Sequence, residues 1–208
     1  MRSAILGVVM GLGLAGCAYN APVPITPNLQ VYSSYGEPLS GKFALFVDGA
    51  ALSQTVKPLG LNCSAHKFPV DLRDAFRQSV IKTVEQLVEE VVVVDTPLSG
   101  DQLTAEGYRG MILVRGESLN ARLNVVSGFW SSTADSTVEL SASLTEHDPA
   151  ERVFGTTGMG QGNAQADAGG MCEGGATAIG MATEKAVRQL LGQLGERLSG
   201  SARLRTRG

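Results

Sequence analysis

Three cysteines and two histidines are the side chains of this 208-residue chain best suited to nucleophilic, redox or metal chemistry. Cys63-Ser64-Ala65-His66 has C-x-x-H spacing, as in half of a metal site, and Cys172-Glu173 could add ligands. That set supplies few soft or borderline ligands, because His147 falls in a different element. In an exported chain an even pair, Cys63 and Cys172, is most simply a disulfide. The two lie 172 − 63 = 109 positions apart. A cross-link closing so long a loop stabilises by about 4–5 kcal/mol in the chain-entropy model, an upper figure because native strain subtracts from it. Unpaired thiols and a metal site are the other two readings.

No Gly-x-Ser-x-Gly, Ser-x-x-Lys or His-Glu-x-x-His is present. His66 and His147 could each act as a general base, yet neither has a nucleophile and an orienting acid in its sequence context. One reads as a polar residue near a helix start and the other as a turn residue. Asp71 and Asp74 lie three apart, on one face of an expected helix, where paired carboxylates can do acid–base work. Stabilisation of the first helical turn explains them equally well. Gly158-Met159-Gly160-Gln161-Gly162 follows a strand, as a dinucleotide fingerprint does. The next helix starts about fourteen residues later, too far for phosphates to sit on its N-terminus. The stretch reads as a loop or bulged strand end. No catalytic residue, metal or cofactor is assigned, and the chain is not read as an enzyme. Phe129-Trp130, in a hairpin tip of small residues, has the most binding character. It is either a plug folded into the core or a contact site for a protein, lipid or glycan.

The third cysteine closes an export signal. Met1-Arg2-Ser3 carries one positive charge, and the apolar run Ala4–Leu14 is too short to span a bilayer. Leu14-Ala15-Gly16-Cys17 resembles a bacterial lipobox. That resemblance implies cleavage before Cys17, diacylation of its thiol and acylation of the new amine by chains such as palmitate. Each buried CH₂ contributes about 0.8 kcal/mol, so one chain binds marginally while two or more hold firmly. Residue +2 is Ala18, not the Asp that retains enterobacterial lipoproteins in the inner membrane. The resemblance therefore implies a periplasm-facing protein held in the outer membrane by Cys17.

Removing residues 1–16 leaves 208 − 16 = 192 residues, enough for one domain and a tether. Arg2 is the one charge lost, so 17 − 1 = 16 basic residues face 20 acidic ones, a balance of −4. That mild charge argues against nucleic acid as a partner. Residues 17–40 contain Pro22, Pro24, Pro27 and Pro38 and read as the anchor and a stiff tether. Twenty such residues would reach on the order of 60 Å at about 3.1 Å each. Residues 41–200 form the domain. Residues 201–208, with Arg203, Arg205 and Arg207, are a basic disordered tail rather than a headgroup-binding segment.

Hydrophobic periodicity predicts strands over 42–47, 91–94, 111–126, 136–146 and 152–159, with helices over 70–90 and 176–199. Residues 127–135 form a hairpin loop. The expected class is α+β: a mixed, mostly antiparallel four- to five-stranded sheet with two helices packed on one face.

This lipobox, tether, element order and small-residue C-terminal helix together resemble small bacterial envelope lipoproteins of the YajG-like type. More distantly they resemble the penicillin-binding-protein activator LpoB, the curli-secretion lipoprotein and the N-terminal domain of TolB. The resemblance implies a non-catalytic structural or assembly factor that self-associates or docks on an envelope complex. The auxiliary lipoproteins of ABC-type lipid transporters share the plan. They imply the alternative, a lipid- or glycan-binding accessory lipoprotein with a cleft near Phe129-Trp130. An enzyme with an unrecognised site is the third reading.

Overall fold

A computed structural model describes residues 20–25, 37–129 and 131–200. Cys17, Trp130 and the arginine tail lie outside the described residues. The elements in chain order are β1 (Leu39–Asp48), β2 (Ser53–Val56), β3 (Pro58–Leu59), β4 (Phe68–Asp71), α1 (Arg73–Val84), β5 (Val88–Val93), α2 (Gly100–Ala105), β6 (Gly110–Ser127), β7 (Ser132–His147), β8 (Arg152–Asp167) and α3 (Gly174–Ser199).

One sheet runs β5-β1-β6-β7-β8, with β3 added to β6 beyond β1, and β2 and β4 form a separate pair. β5, β1 and β6 are parallel, whereas β6, β7 and β8 are a long antiparallel meander. The main sheet thus has six strands, not four or five. The additional pairings come from residues 53–71, where turn residues break the periodicity into pieces of two to four residues.

β7 alternates without a break from Ala134 to Glu146, burying Val138, Leu140, Ala142 and Leu144. β6 changes phase. Its inward residues are even-numbered through Gly116 and odd-numbered from Ala121, and an irregularity between Gly116 and Ser118 makes the switch. The expected helix over 70–90 is shorter at both ends. Phe68 and Val70 point inward while Pro69 and Asp71 point out, which is the period of a strand paired to β2. Val88 already pairs with Leu39.

α1 and α3 bury Phe76, Val80, Ile179, Ala186 and Leu190 in one cluster with Phe43, Leu45, Ile112 and Leu140. A third helix, α2, falls where a loop is expected. Its Leu103 joins a second cluster with Ala44 and Met111, which alternate with the first set along β1 and β6 and so face the other way. Helical cover is therefore present on both faces of the β1–β6 end. A capping box between Ser99 and Gln102 starts α2.

The glycines of β8 are strand interior, not a loop. A Cβ at Gly160 would lie 1.9 Å from the Ala186 carbonyl oxygen, and one at Gly162 1.9 Å from that of Ala182. Their missing side chains let α3 lie directly on the strand backbone. No described helix is long and apolar enough to cross a membrane.

Candidate functional site

The site is built at the end of the sheet that carries the β6–β7 turn. Residues 20–25, expected within a free tether, lie on the domain there. Asn20 bridges in parallel to Lys67, Ala21 N–H donates to the Lys67 carbonyl at 3.1 Å, and Val23 N–H donates to that of Pro69 at 3.4 Å. The order Ala21-Pro22-Val23-Pro24-Ile25 suits an edge strand. Ala21 is buried, and Val23 and Ile25 pack on the core while both prolines face solvent. Proline has no N–H to give, and on an edge strand its nitrogen can sit on the unpaired side. The strip also rests on α3, since a Cβ at Gly180 would come within 2.6 Å of the Pro24 carbonyl oxygen.

Beside the strip, Cys63 and Cys172 are joined by a disulfide, with Cα atoms 6.0 Å apart. Among the described residues they are the two non-glycine positions with positive φ, 59° and 61°. That backbone costs an L-residue about 1–2 kcal/mol, and here it sits at both ends of a covalent link. Cys63 lies in a turn in which Ser64 and His66 N–H groups donate to the Leu61 and Cys63 carbonyls. Cys172 lies two residues before α3, where the Glu173 carboxylate accepts from Met171 N–H. The bridge ties the β3–β4 turn to the start of α3. β4 lies between Cys63 and α1.

At the same end large apolar side chains face outward. Leu61 is 92% exposed, Phe129 89%, Met171 69%, Leu59 57% and Val126 54%. Phe129 is therefore not a core plug. β6 and β7 extend to Ser127 and Ser132, so the nine-residue hairpin loop expected at 127–135 is only residues 128–131. Leu59, Leu61, Val126 and Met171 are absent from the sequence-derived candidates. The signal existed for Val125-Val126, since two adjacent apolar residues in an alternating strand must place one of them outside. Next to the tip an open, polar depression of about 270 Å³ is lined by Ser131, Ser132, Thr133, Gln165, Ala166 and Asp167.

The groups considered for catalysis are dispersed. His66 stacks on Phe68 at the tip end, with ring centroids 6.3 Å apart. His147 pairs with Met111 and Arg152 at the opposite end of β7. A strand of this length spans about 50 Å. Asp71 is bound by Arg73 through two side-chain hydrogen bonds, which hold its carboxyl below the usual carboxylate range and so keep it ionised. Asp74 belongs to the first turn of α1. Among the described residues no group of three or more His, Cys, Asp or Glu is placed to hold a metal ion.

Between the sheet and its two larger helices, a gap lined by Val84, Leu87, Val114, Leu144, Leu191 and Leu194 encloses about 10 Å³. It lies far from Phe129. The outer edge of β8 is covered by α3 side chains. Gln189 and Gln193 accept from the Gln161 and Met159 N–H groups, Lys185 donates to the Asn163 carbonyl, and Arg197 donates to that of Thr157.

No protein-family model matches the chain, and no curated protein matches it. Solved structures similar to it include a Xanthomonas campestris protein of the DUF330 family, at 12% identity and TM-score 0.48, covering 88% of this chain and 96% of that one. Another is a homolog of the neuraminyllactose-binding hemagglutinin from Helicobacter pylori, at 9% identity and TM-score 0.46, covering 86% and 96%. A minor lipoprotein from Acinetobacter baumannii matches at 9% identity and TM-score 0.41, covering 76% and 90%. None of these likenesses bears on what this chain does.

Proposed function

We propose that the chain is a lipid-anchored envelope protein, held in the outer membrane through Cys17, whose single α+β domain is a non-catalytic structural or assembly factor. One observation carries this reading: the chain docks on the domain at Asn20, three residues after the cysteine expected to bear the lipid. A lipid on Cys17 would then hold the domain within roughly 11 Å of chain of its anchor. The dispersal of His66, His147 and Asp71 supports the non-catalytic half. The lipid-carrier alternative has less behind it, because the apolar gap of about 10 Å³ is too small for an acyl chain and the 270 Å³ depression beside the tip is open and mostly polar.

The test has two steps. The N-terminal peptide of the protein recovered from membranes should carry acyl chains on Cys17, and a Cys17→Ser chain should leave the membrane fraction. Deletion of the gene should then weaken the envelope, with a specific envelope protein or a second copy of the chain co-purifying with the wild type. An intact envelope with no co-purifying protein contradicts the assembly role even where acylation holds.

A further inference from the structure

We infer that the end of the domain formed by Leu59, Leu61, Val126, Phe129 and Met171 is a membrane-contact surface, seated on the same bilayer that holds the lipid on Cys17. This rests on the anchor reading above and adds a second point of attachment to it.

The first support is concentration. Among the described residues eight large hydrophobic side chains are exposed, and these five fall at one end of the molecule. Leu59 pairs with Asn124, and Leu61 follows two residues later, past a bend at Gly60 where φ is 88°. Asn62 fixes the approach by donating from its side chain to the Val125 carbonyl at 3.0 Å. Phe129 follows Val126 in the turn. Met171 adjoins Cys172, which is bonded to Cys63, two residues after Leu61. Exposed apolar side chains gathered at one end point to a contact with protein or membrane.

The second support selects the membrane. The strip from Asn20 to Ile25 runs parallel to β4, away from the tip, so the chain enters the domain from the tip end. Cys17 is three residues upstream, and three Cα–Cα steps cover at most roughly 11 Å. The strip, β4, β2 with β3, and β6 follow one another across the domain. β2 and β4 are a separate pair, tied to β6 by the Gln54 side chain, which accepts from the Ala121 N–H at 2.8 Å and donates to the Ala121 carbonyl at 3.2 Å. Acyl chains on Cys17 would therefore hold this apolar end near the headgroups, with at most roughly 11 Å of chain between lipid and domain.

The third support is charge. Val56 pairs with Phe68, and one further step in that register puts Lys57 beside Lys67, both exposed, next to the point where the chain enters. Two ammonium groups at the point of entry suit anionic headgroups above an acyl boundary, while the Asp167 and Glu173 carboxylates lie on the β8 and α3 side of the same end.

The experiment uses the full lipidated chain in cells. A photo-crosslinking amino acid replaces Leu61, Phe129 or, as the distant control, Glu106 at the far end of β6. After irradiation the purified protein is examined by mass spectrometry. Phospholipid-mass adducts at positions 61 and 129, at least five-fold above position 106, are expected. Adducts to a protein alone, or equal lipid adducts at all three positions, overturn the inference. The acylated N-terminal peptide is read in the same samples. Acylated Cys17 without lipid adducts at 61 and 129 overturns the contact surface alone, whereas unacylated Cys17 overturns the anchor reading and the surface with it.

Discussion

Asn20 is bridged to Lys67, so the chain meets the folded domain three residues after Cys17. The proline content of residues 17–40 predicts a spacer reaching on the order of 60 Å. Bridging at Asn20 leaves roughly 11 Å of chain between the lipid-bearing position and the domain. Pro22 and Pro24, two of the prolines that suggest a linker, sit where an edge strand needs no N–H, and Ala21 and Val23 supply the donors.

Gly180 should control that docking. Its Cβ would meet the Pro24 carbonyl oxygen at 2.6 Å, so Gly180→Ala should displace the strip. Alanine is favoured over glycine in a helix by about 1 kcal/mol, which offsets much of the lost packing. Hydrogen exchange at Ala21 and Val23 should rise at least ten-fold, with global stability within about 1 kcal/mol of wild type. Unchanged protection at those two amides would show that α3 does not hold the strip.

Gly160 should be intolerant in a different way. A methyl group there meets backbone rather than a flexible side chain, so Gly160→Ala must push α3 off β8. A loss of about 1–3 kcal/mol or more is expected in denaturant unfolding. Gly170→Ala, with nothing within 4 Å of its Cβ, should change little. Equal effects of the two substitutions would refute the close-approach role of the β8 glycines.

These glycines show where the sequence was opaque. β7 was legible because every second residue from Ala134 to Glu146 is buried and side-chain chemistry follows that period. The second half of β8 was not, because glycine has no side chain to report which face it occupies, and Gly160 and Gly162 are inward positions. The end of β4, Val70-Asp71, is read from sequence as helix because Asp71, like Asp74, suits the first turn of a helix, although Phe68 and Val70 are spaced by two as in a strand. α2 was lost to its six-residue length, although Ser99 and Gln102 carried the capping signature. Cys63 and Cys172 were legible as a possible pair because an exported chain with two remaining thiols has few other options, and the structure joins them. The apolar end was not, since Leu59, Leu61 and Met171 lie in loops far apart in sequence and only the fold gathers them.

Replacing both bridged cysteines by serine should cost up to about 4–5 kcal/mol, given the long loop the bridge closes. With a denaturant slope of about 2 kcal/mol per molar urea, the midpoint should fall by roughly 2 M. A reduced wild-type protein should behave like the double variant. A fall below about 0.3 M would mean that the bridge adds little to the fold.

The side-chain cover on β8 should keep that edge from pairing with another chain. Gln161 N–H donates to Gln189 Oε1 at 2.8 Å and Met159 N–H to Gln193 Oε1 at 3.2 Å. An uncovered strand edge is a template for association. Gln189→Ala with Gln193→Ala should shift sedimentation toward larger species than the wild type forms at the same concentration. Identical sedimentation would show that the two glutamines are not what closes the edge.

The height of the domain above the bilayer tests the central claim most directly. Neutron reflectometry of the lipidated mature chain on a supported bilayer of phosphatidylethanolamine and phosphatidylglycerol reads it without a label. Protein density continuous with the headgroup layer is the result expected of a domain docked at Asn20. A water-filled gap of several tens of ångströms between headgroups and protein would contradict it.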